Sequence, residues 1–267
     1  MITFGACGGE PLAAVDLSAA WLLFYVAAHI FDNVEDRDDP EAWYAEFGPG
    51  TALNTACGLF FTASLALQDL FSDNAPAALE INRGFQEHML LMSSGQHRDL
   101  TKSIINLDQY WEIAEGKSGA FFELACWSGA RLASEDTQLL DHYKQFGKRL
   151  GLLLQLLDDL NDIRPINRSP LLPKPRELSH SFAVAYAMSV FPEAQQKNLQ
   201  DDLAISAQDE RAAQQVITTL QNSGVDLYLL TEIERQRGLA LQALNNANPK
   251  SPHRQLLRSL VPDHQTR

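Results

Sequence analysis

Apolar residues along this chain recur at three- and four-residue spacing in long stretches, and nowhere do they alternate for the length of a strand. Residues 17–31 form a first apolar run. Residues 51–70 form a second, rich in alanine and leucine. Residues 77–94 place Leu79, Phe85, Met89 and Met92 at helical spacing. Asn106 or Asp108 opens a further element that carries Trp111, Ile113 and, after Gly116, Lys117. Residues 135–163 read as one long helix, followed by 181–190, 194–207, 210–223 and 225–243. The breaks are glycine- and proline-rich: residues 1–12, Phe47-Gly-Pro-Gly50, residues 72–76, a helix end at Gly95–Leu100, and residues 164–176 with Pro165, Pro170, Pro173 and Pro175. The tail from Asn248, with Pro249, Pro252 and Pro262, reads as loose. The pattern predicts an all-α single domain over 1–267, a helical bundle.

Two of the apolar runs end in carboxylates. Residues 17–31 lead into Asp32-Asn33-Val34-Glu35-Asp36, and Gly151-Leu-Leu-Leu-Gln155-Leu-Leu leads into Asp158-Asp159-Leu160-Asn161-Asp162. In a helix Asp32 and Asp36 share one face, as do Asp158 and Asp162. Like charges at that spacing repel by a few tenths of a kcal/mol on an exposed helix, and by more beside a buried run. A single such cluster is equally well a solvated helix end. Two of them point to a compensating cation, and hard oxygen donors without cysteine or paired histidine point to Mg2+.

Composition narrows the function. The 267 residues are 45% hydrophobic, enough for a full core, and carry a net charge of −13 with a pI near 4.9. No basic patch exists to exchange for phosphate counterions, so a nucleic-acid partner is not expected. An anionic substrate would be repelled unless metal inverted the local field. Cys7, Cys57 and Cys126 are too scattered for a disulfide framework or a zinc site and fit a reducing, cytoplasmic setting. The start lacks the basic region of a signal peptide. Residues 12–31 approach membrane-spanning length, but Asp16 interrupts them and an acidic cluster ends them. A buried helix is expected, with no transmembrane segment.

Four ordered elements resemble the polyprenyl synthetase family, the helical isoprenoid synthases with two aspartate-rich motifs. The resemblance spans residues 8–188. Asp32-Asn-Val-Glu-Asp36 resembles the first aspartate-rich motif, and Ser94-Gly-Gln96-His-Arg-Asp99-Leu the G-Q-x-x-D-L element. Gly116-Lys117-Ser-Gly-Ala-Phe-Phe resembles the K-T-x-x-L-F element, and residues 151–162 the G-x-x-F-Q-x-x-D-D-x-x-D element. The resemblance implies an isoprenoid synthase bundle around a central cavity, an allylic prenyl diphosphate substrate, Mg2+ (about three ions) and a homodimer. It assigns metal binding to Asp32, Asp36, Asp158, Asp159 and Asp162, with Asp159 also an outer-shell candidate. Lys117, Asp32 and Asp158 take catalytic roles. Lys117, Gln96, Gln155, Tyr25, Ala28 and Phe121 are expected to meet substrate. Loss of diphosphate leaves an allylic cation, so charge grows on the leaving group. Metal and a fixed lysine would neutralise it.

The departures matter as much. The second substrate of chain-elongating members, isopentenyl diphosphate, is held by basic residues. The histidine seven positions before the first motif is here Tyr25, and the R-R-G after it is replaced by the run from Arg37 to Trp43. The G-G-K-x-x-R element would lie upstream of Met1. The lysine expected after the second motif is absent from Leu178-Ser-His-Ser-Phe-Ala183, with Lys174 or Arg176 as substitutes. An anion without such partners lacks charge-assisted hydrogen bonds. The leading expectation is therefore a class I terpene synthase that quenches the cation internally or with water. The alternatives are a trans-prenyltransferase using isopentenyl diphosphate or another acceptor, and a non-catalytic partner subunit. Ala28 and Ala27, four and five positions before the first motif, are small and predict a deep pocket for a 15- or 20-carbon chain. His29 reads as a core histidine, and Phe60, Phe61, Phe121 and Phe122 as core or pocket wall.

Overall fold

The computed structural model describes residues 1–36, 45–72, 75–101, 106–164, 178–206 and 208–262. Arg37, Lys174, Arg176 and most of the proline-rich segment fall outside them. Among the described residues the elements are helical: α1 (Ile2–Ala6), α2 (Val15–Asp36), α3 (Pro49–Gln68), α4 (Ala75–Thr101), α5 (Leu107–Ala114), a π-helical turn (Glu115–Gly119), α6 (Ala120–Ala133), α7 (Thr137–Ile163), α8 (Phe182–Val190), α9 (Glu193–Ser206), α10 (Glu210–Asn222), α11 (Val225–Ala247) and α12 (His253–Ser259). The all-α expectation holds.

Helix α7 is the axis of the bundle. Asp136 caps it by accepting hydrogen bonds from the N–H groups of Gln138 and Leu139. Leu140, Tyr143, Phe146, Leu150, Leu153 and Leu157 follow at steps of three and four and are all buried. They pack between α6 and α11. Two glycines let α7 approach its neighbours backbone to backbone. A Cβ on Gly147 would lie 2.3 Å from the carbonyl oxygen of Phe122, and one on Gly151 would lie 2.1 Å from that of Ser118.

Four segments differ from the reading of the sequence, the first being Ile2–Ala6, which forms the buried helix α1 inside a stretch read as a break. Helix α4 runs through Gly95 to Thr101 instead of ending there. A mid-helix glycine costs about 1 kcal/mol relative to alanine, but Gly95 here faces Gly116 of the π-helical turn. A Cβ on Gly95 would lie 3.1 Å from the Gly116 carbonyl carbon. After Asn248 the described chain packs on the bundle, with Leu257 and Val261 in the core. Lys250 donates its N–H to the Ala6 carbonyl at 2.8 Å, and Leu257 of α12 is buried. His29 is exposed, not core, and stacks on Tyr25 with ring centroids 6.2 Å apart.

Residues 11–36 and 49–69 are long and apolar enough to cross a membrane. Both belong to the bundle, where Ala27 and Ile30 of α2 pack against Ala52 and Ala56 of α3. Cys7, Cys57 and Cys126 are free thiols.

Candidate active site

The first acidic motif occupies the last turn of α2. Asp32, Asn33 and Asp36 are half-buried and Glu35 is exposed. Facing Asp32 is Lys117 on the π-helical turn, its Nζ 3.5 Å from a carboxylate oxygen. A π turn re-aims side chains relative to a regular helix and is common at functional sites. Here the Gly95–Gly116 crossing brings the residue after Gly116 against the residue one turn after Gly95. Lys117 Nζ therefore donates to Asp99 Oδ2 at 2.7 Å. Asp99 Oδ1 in turn accepts from His180 Nδ1, also at 2.7 Å.

This cluster is charged and largely enclosed. Burial alone would raise the Asp99 carboxyl, but His180 and Lys117 bring it down to about 2. Burial opposes the Lys117 ammonium as well, yet Asp32 first and then Asp99 and Asp36 hold it above its ordinary value. Lys117 is therefore a cation at any physiological pH.

The second motif separates into two kinds of carboxylate. On α7, Asp158 is exposed and Asp162 half-buried, while Asp159 is only 4% exposed. Asp159 Oδ2 accepts the N–H of Phe182 at 2.9 Å, and Oδ1 accepts from Gln155 Nε2 at 3.3 Å. Burial raises this carboxyl to about 6, against the pull of the Phe182 N–H, Tyr110 and Gln155. The metal-ligand expectation for Asp159 does not match this inward orientation. Its oxygens bind the start of α8 because, in a helix, the residue after Asp158 turns by a full 100°. Gln155, expected at substrate, instead accepts from the Ser118 hydroxyl at 2.8 Å and ties α7 to the π-helical turn.

A continuous path thus runs from Asp32 through Lys117, Asp99 and His180 to Phe182 and Asp159. Gln96 lies on α4 beside it. Both polar atoms of its carboxamide are buried and meet no partner among the described residues. An orphaned amide of that kind is costly unless something binds it.

N-terminal to Asp32, α2 carries a run of aromatic residues that pack against α6. Tyr25 is 45% exposed and sits between Trp21 and Phe121, with centroids 5.9 and 5.8 Å away. Ala28 is half-buried, whereas Ala27 is fully buried against α3. One turn beneath Ala28, Phe24 meets Phe60, Phe85 and Phe121 at 5.9–6.3 Å. Sequence reasoning missed Asp99 as a lysine partner, and it missed His180 and Phe24 altogether. The signal for Asp99 was an acid inside the G-Q-x-x-D-L element; for His180, an ionisable residue standing beside a missing lysine.

Among the described residues no three His, Cys, Asp or Glu side chains converge as a ready metal site. The fit to Mg2+ rests on the donor set: hard oxygens on two helices, plus the orphaned Gln96 amide.

The sequence matches the profile described as Polyprenyl synthetase over residues 10–220. Among curated proteins it is 30% identical over 157 residues to the tryptophan prenyltransferase ComQ of Bacillus subtilis subsp. natto, covering 58% of this chain and 47% of that one. It is 32% identical over 163 residues to the geranylgeranyl diphosphate synthase of Mycobacterium tuberculosis, covering 58% and 46%. The match spans about half the length of these relatives. The geranylgeranyl pyrophosphate synthetase from Pyrococcus horikoshii has the same fold, with a TM-score of 0.82 at 20% identity over 100% of this chain and 83% of that one.

Proposed function

The chain belongs to the polyprenyl synthetase family, and from that premise we propose that it is a Mg2+-dependent prenyltransferase acting on an allylic prenyl diphosphate. The observation that carries the proposal is the Lys117 ammonium, held between Asp32 and Asp99 at the end of α2 that carries the first acidic motif. A fixed cation at that point meets charge as it grows on the departing diphosphate and needs no reorganisation. Asp32 and Asp36 on α2, with Asp158 and Asp162 on α7, would hold Mg2+, which neutralises the diphosphate when bound. The Gln96 amide orients the same anion. The prenyl tail lies along Ala28 toward the Phe24 cluster, where aromatic faces stabilise an allylic cation.

Transfer to an acceptor replaces internal quenching as the leading reading. The curated relatives are named as diphosphate synthases and as a tryptophan prenyltransferase, which favours transfer over terpene formation. Isopentenyl diphosphate is the first acceptor to test. A second reading, an acceptor without phosphate, is favoured by Tyr25, an exposed ring where the resemblance calls for a cation. A prenyl chain running along Ala28 would meet Phe24 one turn further on, which favours a 15-carbon over a 20-carbon chain. A homodimer through α3 and α4 is supported by exposed Phe61, Leu65, Leu90 and Leu91.

The test is diphosphate release from 10-, 15- and 20-carbon allylic diphosphates with Mg2+, with and without isopentenyl diphosphate, and analysis of the organic products. Release that depends on isopentenyl diphosphate and yields a longer diphosphate supports elongation. Release without it, giving a hydrocarbon or alcohol absent from an Asp158→Ala control, returns the assignment to a terpene synthase. No release under any of these conditions, from protein shown to be folded, removes the enzymatic reading.

A further inference from the structure

The strongest cluster not absorbed by the aspartate motifs is His180 with Asp99. Asp99 has two carboxylate oxygens and each is taken by a different donor: Oδ1 by His180 Nδ1 and Oδ2 by Lys117 Nζ, both at 2.7 Å. A carboxylate only accepts, so Nδ1 of His180 carries the proton in this contact. With both oxygens engaged, the carboxylate cannot rotate without breaking two charge-assisted hydrogen bonds. Its orientation decides where the Lys117 ammonium stands, 3.5 Å from Asp32.

His180 is itself held in the turn that opens α8. Ser181 caps α8, its hydroxyl donating to the Leu178 carbonyl at 2.7 Å and accepting the Val184 N–H. The Phe182 N–H is fixed by Asp159 at 2.9 Å. His180 lies inside the turn closed by Ser181 on the Leu178 carbonyl, two residues before the Phe182 anchor, and so has little backbone freedom. The His180, Asp99 and Lys117 side chains are 20%, 12% and 25% exposed, so solvent does not replace the contacts cheaply.

We propose that His180 is a positioning residue for the diphosphate site: by occupying Oδ1 of Asp99 it locks the carboxylate plane and so fixes the Lys117 ammonium beside Asp32. The inference rests on the diphosphate reading given above. In this chain the contact couples the start of α8, on the far side of the proline-rich segment, to the lysine on the π-helical turn. Loss of the imidazole lets Asp99 turn both oxygens toward Lys117 and draw it away from Asp32.

The experiment is calorimetric titration of the purified chain with inorganic diphosphate in the presence of Mg2+, comparing wild type, His180→Leu, His180→Gln and His180→Asn. Asparagine places its amide nitrogen where Nδ1 stands, whereas glutamine places it nearer Nε2. Loss of a hydrogen bond to a charged group weakens binding roughly tenfold to a hundredfold. That loss is expected for His180→Leu and His180→Gln, with His180→Asn recovering to within about threefold of wild type. The glutamine variant carries the test if the leucine variant does not fold. Wild-type affinity in the leucine or glutamine variant overturns the proposal, and so does failure of asparagine to restore binding. Absence of diphosphate binding in the wild type instead overturns the functional reading on which the proposal rests.

Discussion

The carbonyl of Ser118 occupies the place where a side chain on Gly151 would begin, 2.1 Å from an ideal Cβ. Gly151 stands one turn before Gln155, whose amide oxygen accepts from the Ser118 hydroxyl. The helix that carries the second acidic motif and the turn that carries Lys117 are therefore locked in one register.

Gly151→Ala must separate these backbones. The expected cost is about 1–3 kcal/mol of overpacking, with a fall in melting temperature of a few degrees per kcal/mol for a chain of this size. Diphosphate affinity should fall with it, because Lys117 moves. A melting temperature and affinity equal to wild type would show that α7 and the π turn are not in register contact.

Adjacent carboxylates of the second motif should behave differently. Asp158→Asn is expected to lower Mg2+-dependent diphosphate release by roughly a hundredfold or more. Asp159→Asn keeps an acceptor for the Phe182 N–H and should retain most of the activity. Single-turnover assays with excess Mg2+ distinguish the two, and equal losses would place both side chains in the same role.

The aromatic cluster beneath Asp32 makes a prediction about chain length. Phe24 lies eight residues before Asp32, about 12 Å along a helix at 1.5 Å per residue. Phe24→Ala should shift preference toward longer allylic diphosphates and Ala28→Phe toward shorter ones, read as ratios of kcat/KM. If neither variant changes the ratios, the prenyl chain does not run along this face of α2.

Stability should depend on Asp99 at acid pH. Its carboxyl lies at about 2 in the folded chain against a reference of 3.8, so the unfolded chain binds the proton first as pH falls. The contribution, about 2 kcal/mol by linkage, is fully present above about pH 5 and is lost as pH falls toward 2. Urea titrations of wild type and Asp99→Asn between pH 5 and 3 should show a gap that narrows below pH 4. A gap independent of pH would mean that Asp99 is not held ionised by Lys117 and His180.

Most of the long helices were legible because helical periodicity is local: the spacing of Leu140, Tyr143 and Phe146, or of Asp32 and Asp36, needs no partner to be recognised, whereas the short α1 and α12 fell in stretches read as a break and a loose tail. The extent of α4 was not, because Gly95 reads as a helix end until Gly116 is seen against it. The same limit applies to Ala27 and Ala28. Adjacent in sequence, they face different neighbours, and only Ala28 remains available to a pocket.

By itself the sequence determined an all-α chain in which two apolar helices each end in carboxylates one turn apart, with a lysine in a family-like setting between them. That much follows from side-chain order and a fixed rise per residue. The tertiary structure decided which of those groups act together. It turned Asp159 inward to the start of α8, packed Phe24 among Phe60, Phe85 and Phe121, and brought His180 to Asp99 across 81 residues. The reason is packing: where helices cross is set by glycines such as Gly95, Gly116 and Gly151, at which one backbone can approach another. The partner that will occupy the approach is not encoded locally.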